Sequence, residues 1–119
     1  MFSFLEKILK KLGGKKSTSP DLSPDHLEEL FNSGVRFYHQ GQFRPAGEAF
    51  EACCREYQAL IDQGRAELRP DLALTQMNLG NCLRQQGDLP AARRAYQDSL
   101  TEYQALIDQG RAELRPDLA

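Results

Sequence analysis

The chain is 119 residues long, with 40% apolar and 27% charged residues and a formal charge of −2, a length near the mode for one domain and a composition of ordinary globular type. That balance excludes collagen, wholesale disorder and a multi-span membrane protein, and the slightly acidic charge argues against bulk nucleic-acid binding. The charges are unevenly placed: all five lysines lie in the first 16 residues beside a single acid, Glu6, for +4, whereas the remaining 103 residues carry ten arginines against sixteen acids, for −6.

Residues 1–12, MFSFLEKILKKL, predict an amphipathic basic helix. Advanced by about 100° per residue, Met1, Phe2, Phe4, Leu5, Ile8, Leu9 and Leu12 fall within an arc of roughly 40–200°, while Ser3, Glu6, Lys7, Lys10 and Lys11 fall between roughly 240° and 20°. Gly13-Gly14 stops this helix. Residues 13–23 then read as a flexible, Pro- and Ser-containing linker, ending on Ser23 as N-cap with Pro24 at the first helical position of a domain over 24–119. Three surfaces compete for the apolar arc: an anionic membrane, the acidic repeats of the same chain, and another molecule. Lysines beside a phenylalanine-containing arc suit the first, each contributing about 1 kcal/mol near anionic lipid; the acidic body suits the second.

The segment lacks the apolar h-region and small-residue cleavage site of a secretory leader, and no apolar run approaches the ~18–20 residues of a membrane span. Three cysteines (Cys53, Cys54, Cys82) with no CxxC spacing fit neither a disulfide framework nor a zinc site. A reducing, cytoplasmic setting is expected, with peripheral attachment to a membrane as the alternative.

Beyond the linker the chain repeats itself. Residues 56–73 read EYQALIDQGRAELRPDLA, and residues 102–119 read the same eighteen letters. The same offset pairs Asn32 with Asn78, Gly34 with Gly80, Gly41 with Gly87, Ala46 with Ala92, Ala49 with Ala95 and Phe50 with Tyr96, defining units 28–73 and 74–119. Apolar positions step by threes and fours (Leu79, Leu83; then Ala92, Ala95, Tyr96, Leu100, Tyr103, Leu106, Ile107), which predicts helices and no strands. Gly41 and Gly87 end the first helix of each unit, and Pro45 and Pro90 sit where the second begins. Each unit is therefore expected to be a helical hairpin in an all-α fold.

The segment NLGNCLRQQGDLPAARRAYQDSL (78–100) resembles the tetratricopeptide repeat over nearly its whole length. Leu79-Gly80 on the first helix, Gly87 at the turn, Ala92 and Tyr96 on the second and Pro116 after it carry the match. Small residues stand where two helices cross closely, and Tyr96 fills the space beside them. Unit one matches through Gly34, Phe37, Gly41, Phe43, Ala46 and Phe50, with Ser33 replacing the usual apolar neighbour of Gly34. The family period is about 34 residues, so roughly twelve more lie between Tyr57 and Ala73; Tyr57, Leu60 and Ile61 extend the second helix to about Gln63, Gly64 stops it, and RAELRPD forms the connection. This layout is similar to the longer-period repeats of the kinesin light chain type and of large bacterial arrays.

The resemblance implies a non-catalytic protein- or peptide-binding scaffold whose first helices line a concave face. Carried over by position, the contact residues are Glu28, Phe31, Val35, Tyr38 and His39 in unit one and Leu74, Met77, Asn81, Arg84 and Gln85 in unit two. Phe31 and Val35 stand where a clamp for a C-terminal carboxylate needs basic and amide groups, so that ligand is not expected. No catalytic, metal or cofactor site is expected either. The phosphate-loop, zinc-protease and nucleophile-elbow strings are absent, His26 and His39 read as solvated or capping groups, Glu28-Glu29 as compensation of a helix dipole, Cys53 and Cys82 as buried thiols, and Cys54 as partly exposed.

Two repeats fall short of the three or more that solenoids usually need. The sequence reads either as part of a longer array or as a product of repeat loss. Leu100, Tyr103, Leu106 and Ile107 are expected to leave a stripe exposed, and self-association through it follows.

Overall fold

Three of the glycines decide where the chain turns. Gly41, Gly64 and Gly87 have φ of +75°, +108° and +86°, and at each the amide of the next residue reaches back to a carbonyl five residues earlier: Gln42 to Phe37 (2.9 Å), Arg65 to Leu60 (3.0 Å) and Asp88 to Leu83 (3.0 Å). The donor in each case is the residue directly after the glycine, three past the last helical residue, and this is the glycine-dependent Schellman closure, which satisfies carbonyls that the helix end leaves unpaired. The computed structural model describes the backbone of residues 24–118 and the side chains of residues 26–110. Among them the chain forms helices α1 (Pro24–His39), α2 (Phe43–Asp62), α3 (Arg69–Gln85) and α4 (Leu89–Leu118), with a 3₁₀ turn at Ala66–Leu68 and no strand. The predicted basic helix 1–12, the linker 13–23 and the cap Ser23 lie outside the described residues. No helix among the described residues is long and apolar enough to cross a membrane.

Each helix packs on the next in the chain. Three-residue connections join α1 to α2 and α3 to α4, which makes each pair antiparallel. The second helices begin near the expected prolines: Pro45 and Pro90 lie in the first turns of α2 and α4, where a missing amide proton leaves no bond unmade. Asp88 caps α4 by accepting a hydrogen bond from the Ala91 amide (3.2 Å).

The core runs along the seam of α1, α2 and α3. Leu27 and Leu30 of α1 meet Ala49, Ala52, Cys53, Tyr57, Leu60 and Ile61 of α2, and Leu68 and Leu72 close the cluster from the far side. Beside it Ala46, Phe50 and Cys82 form a second cluster, joined by Phe31, Val35, Phe37, Tyr38 and Leu79. The crossings repeat in register. A Cβ on Gly34 would meet the Phe50 ring at 2.9 Å, and one on Gly80 would meet the Tyr96 ring at 2.7 Å, so each hairpin closes by seating an aromatic ring of its second helix against a glycine of its first. Polar groups bind the rest: the Ser99 hydroxyl donates to the Ala73 carbonyl (2.7 Å), Arg69 pairs with Glu102 (3.0 Å), and the Gln86 amide reaches the Phe43 carbonyl across hairpins (3.1 Å).

Two expectations require correction. RAELRPD is not an irregular connection: Ala66–Leu68 is a 3₁₀ turn and Arg69, Pro70 and Asp71 already belong to α3. Burial of Leu68 and Leu72, exposed by only 7% and 1%, draws the helix start forward, and Pro70 in its first turn is compatible with it. Pro116 does not follow the last helix but lies within α4. The identical letters at 56–73 break at Gly64 because the hairpin that follows buries what lies beyond the break. Gly110 does not take a positive φ, and the helix continues through it.

The second copy of the stripe is correspondingly open. Tyr57, Leu60 and Ile61 are buried, whereas Ile107 is 47% and Leu100 66% exposed, with Tyr103 and Leu106 half-buried.

Candidate functional site

Helices α1 and α3 each pack along α2 rather than along each other, and a cleft of about 300 Å³ opens between them. Glu28, Phe31 and Asn32 of α1 form one wall, Asp71, Leu74 and Thr75 of α3 the other, with Tyr57 of α2 and Leu68 of the 3₁₀ turn also lining it. The spacing explains the walls, since Glu28, Phe31 and Asn32 recur at three and four residues, as do Asp71, Leu74 and Thr75, placing each trio on one helix face.

The cleft is mixed in character: Phe31, Leu68 and Leu74 line it together with Asn32, Tyr57, Thr75 and the carboxylates of Glu28 and Asp71. Phe31 is half-buried and stacks edge-on against Phe50, with ring centroids 5.3 Å apart. Leu74 is 39% exposed. The Thr75 hydroxyl donates to the Asp71 carbonyl (2.6 Å), which turns its polar atom away from the opening. Glu28 and Asp71 are exposed, and among the described residues neither takes part in an ion pair. Their field reaches the buried tyrosine: burial first, then Asp71, Cys53 and Glu28, holds the Tyr57 phenol above its ordinary range. The phenol therefore stays neutral, and among the described residues the cleft is lined by two carboxylates and no cationic group.

Of the contact residues expected from the sequence, Glu28, Phe31 and Leu74 come together here. Met77, 36% exposed, lies one turn further along α3 on the same face as Leu74. Val35 and Tyr38 instead support the core at Phe50 and Cys82, and Tyr38 stacks on Phe43 at 5.2 Å. Asn81 accepts a hydrogen bond from the Tyr96 hydroxyl, so its amide helps to hold α3 against α4. His39, Arg84 and Gln85 are exposed at the far ends of α1 and α3, away from the cleft.

Sequence reasoning missed Asn32, Tyr57, Leu68, Asp71 and Thr75. Tyr57, Leu68 and Asp71 fall in or beside the insertion, where the repeat pattern gives no guide. Only the duplicated letters marked this stretch as structured.

The cysteines are thiols held neutral. Burial pushes Cys53 up to about 12, aided by Cys54 and Glu56, and pushes Cys54 up to about 12, aided by Glu51 and Asp98. Burial alone pushes Cys82 up to about 11. None is a thiolate nucleophile at neutral pH. Among the described residues no three His, Cys, Asp or Glu side chains gather as metal ligands. Comparison with protein-family models, with curated proteins and with solved structures gives no match to this chain.

Proposed function

We propose that this chain is a non-catalytic scaffold of two long-period, tetratricopeptide-like hairpins that binds a protein or peptide segment across α1 and α3. The observation that carries this reading is the cleft itself: an opening between α1 and α3 lined by Phe31, Leu68 and Leu74 and by two carboxylates outside any ion pair among the described residues, with Leu74 exposed in its wall and Met77 exposed one turn further along α3. Two of the expected contact pairs support it, because Glu28 and Leu74, and Phe31 and Met77, are repeat-equivalent positions on the two helices. A segment of mixed apolar and basic character suits these walls, burying side chains on Phe31 and Leu74 while meeting carboxylates at the edge.

Leu74→Glu with Met77→Glu tests the reading without touching the core, whereas Tyr38 is unsuited because it packs on Phe43. A displayed random-peptide library selected on the wild-type chain should yield a sequence family whose binding falls at least about tenfold on the double variant, the loss expected when apolar contacts of roughly 1.4 kcal/mol are removed. No enriched family, or equal binding to a folded variant, removes this surface.

A second reading, self-assembly, is favoured by the open stripe of α4, where Leu89, Leu100 and Ile107 are 60%, 66% and 47% exposed. Sedimentation equilibrium should show association that rises with concentration and is abolished by Leu100→Lys with Ile107→Lys. A strict monomer at high concentration rejects it.

A further inference from the structure

The cleft and the basic N-terminal segment are complementary in charge, in polarity and in reach. Every lysine of the protein lies in residues 7–16, and the body that follows is acidic. Within that body, Glu28 of α1 and Asp71 of α3 both line the cleft, exposed and outside any ion pair among the described residues. The walls between them offer Phe31 and Leu74, and residues 1–12 supply an apolar arc next to Lys7, Lys10 and Lys11.

The tether allows the contact. Eleven residues (13–23) span at most about 36–40 Å when extended and roughly 17–20 Å on average as a flexible chain. Glu28 lies one helical turn, about 6 Å, beyond the start of α1 at Pro24. Both figures exceed that rise, so a tether of this length can bring residues 1–12 to the α1 wall of the cleft, where an effective concentration of the order of millimolar would favour contact.

We propose that residues 1–12 dock into the α1–α3 cleft of their own chain, with the apolar arc on Phe31 and Leu74 and the lysines on Glu28 and Asp71. This rests on the cleft being a peptide-binding surface and makes the segment its resident occupant. A partner peptide or an anionic membrane then has to displace or withdraw it, because the apolar arc that would enter lipid is the one that covers the cleft.

The full-length chain tests this by NMR and limited proteolysis. Ile8→Glu with Leu9→Glu should shift the amide signals of Phe31, Asp71 and Leu74, while trypsin should cut wild type after Lys15 and Lys16 sooner than after Lys7, Lys10 and Lys11. Glu28→Gln with Asp71→Asn, both at exposed positions, should speed cleavage at the protected lysines about fourfold, roughly twofold for each surface ion pair lost. The same variant should float more readily with vesicles containing phosphatidylserine. Unmoved cleft amides, shifts confined to Leu100 and Ile107, or shifts that grow with protein concentration each overturn docking in cis. The outcomes separate from those of the binding reading: if the docking fails while selected peptides still need Leu74 and Met77, the scaffold stands and its occupant is external.

Discussion

Gly64 and Gly110 stand in identical sequence, with the same eight residues before them and the same nine after, so substitution of each by alanine isolates what tertiary structure adds. Gly64 has a φ of +108°. An L-residue in left-handed backbone costs about 1–2 kcal/mol, and because +108° lies beyond the ordinary left-handed well, the upper end applies. Nothing stands within 4 Å of a Cβ at either site, so no steric clash confuses the comparison. Gly110 is interior to α4, where alanine is favoured over glycine by about 0.8–1.0 kcal/mol. Gly64→Ala should therefore destabilise by about 2 kcal/mol and lower Tm by roughly 10 °C for a domain of this size. Gly110→Ala should stabilise by up to about 1 kcal/mol and deepen the 222 nm helical signal. Urea titration followed by circular dichroism reads both. Shifts of the same sign and size would show that the two copies share one conformation and would refute the account given for the break at Gly64.

Other consequences can be measured on the same material. Gly80→Ala places a Cβ 2.7 Å from the Tyr96 ring and should cost a net 1 kcal/mol or so, overpacking of about 1–3 kcal/mol less the helix-propensity gain; with Tyr96→Leu in the background the sign should reverse, and an unchanged penalty there rejects the ring as the cause. The Gln76 side-chain oxygen is buried without a partner among the described residues, while its repeat equivalent, Leu30, is fully buried. Gln76→Leu should accordingly raise stability by about 1 kcal/mol in denaturant melts, since an apolar replacement removes the unmet bond, and a loss would contradict this. Folding raises the pKa of the Cys53, Cys54 and Cys82 thiols, from the ordinary 9.0 to about 12, 12 and 11, so the stability they contribute is complete below pH 9 and disappears as pH rises through 9 to 12. The urea midpoint should fall between pH 8 and pH 10 in wild type and fall less in a triple Cys→Ala variant; equal slopes exclude the thiols.

Much of this protein is legible in the sequence because it is written twice. The eighteen-letter duplication and the paired glycines and aromatics fix the period, and an apolar residue every three or four positions fixes helix. A glycine after the last periodic residue fixes each corner, since only glycine reaches positive φ without strain. The pairs Gly34–Phe50 and Gly80–Tyr96 follow from the same pattern: a missing side chain on one helix and a large one on the next can only mean close approach. Burial of Cys53 and Cys82 was readable for the same reason.

What required the tertiary structure is everything that depends on which face a neighbour covers. Leu68 and Leu72 are apolar in the sequence whether or not a hairpin packs on them. Their burial on α2 accompanies a start of α3 at Arg69, whereas the same letters run on as helix through Gly110 and Pro116. Tyr38 and Val35 look like ligand contacts by position, but the packing of α1 on α2 uses them for the core, and Tyr96 claims Asn81. Conversely, Asp71 carries no mark of function in the sequence. It becomes part of a candidate site because α3 brings it to the same cleft as Glu28, a residue 43 positions earlier. Local periodicity records what each residue offers, whereas exposure, register and opposing charge are properties of pairs distant in the chain, and only folding brings those pairs together.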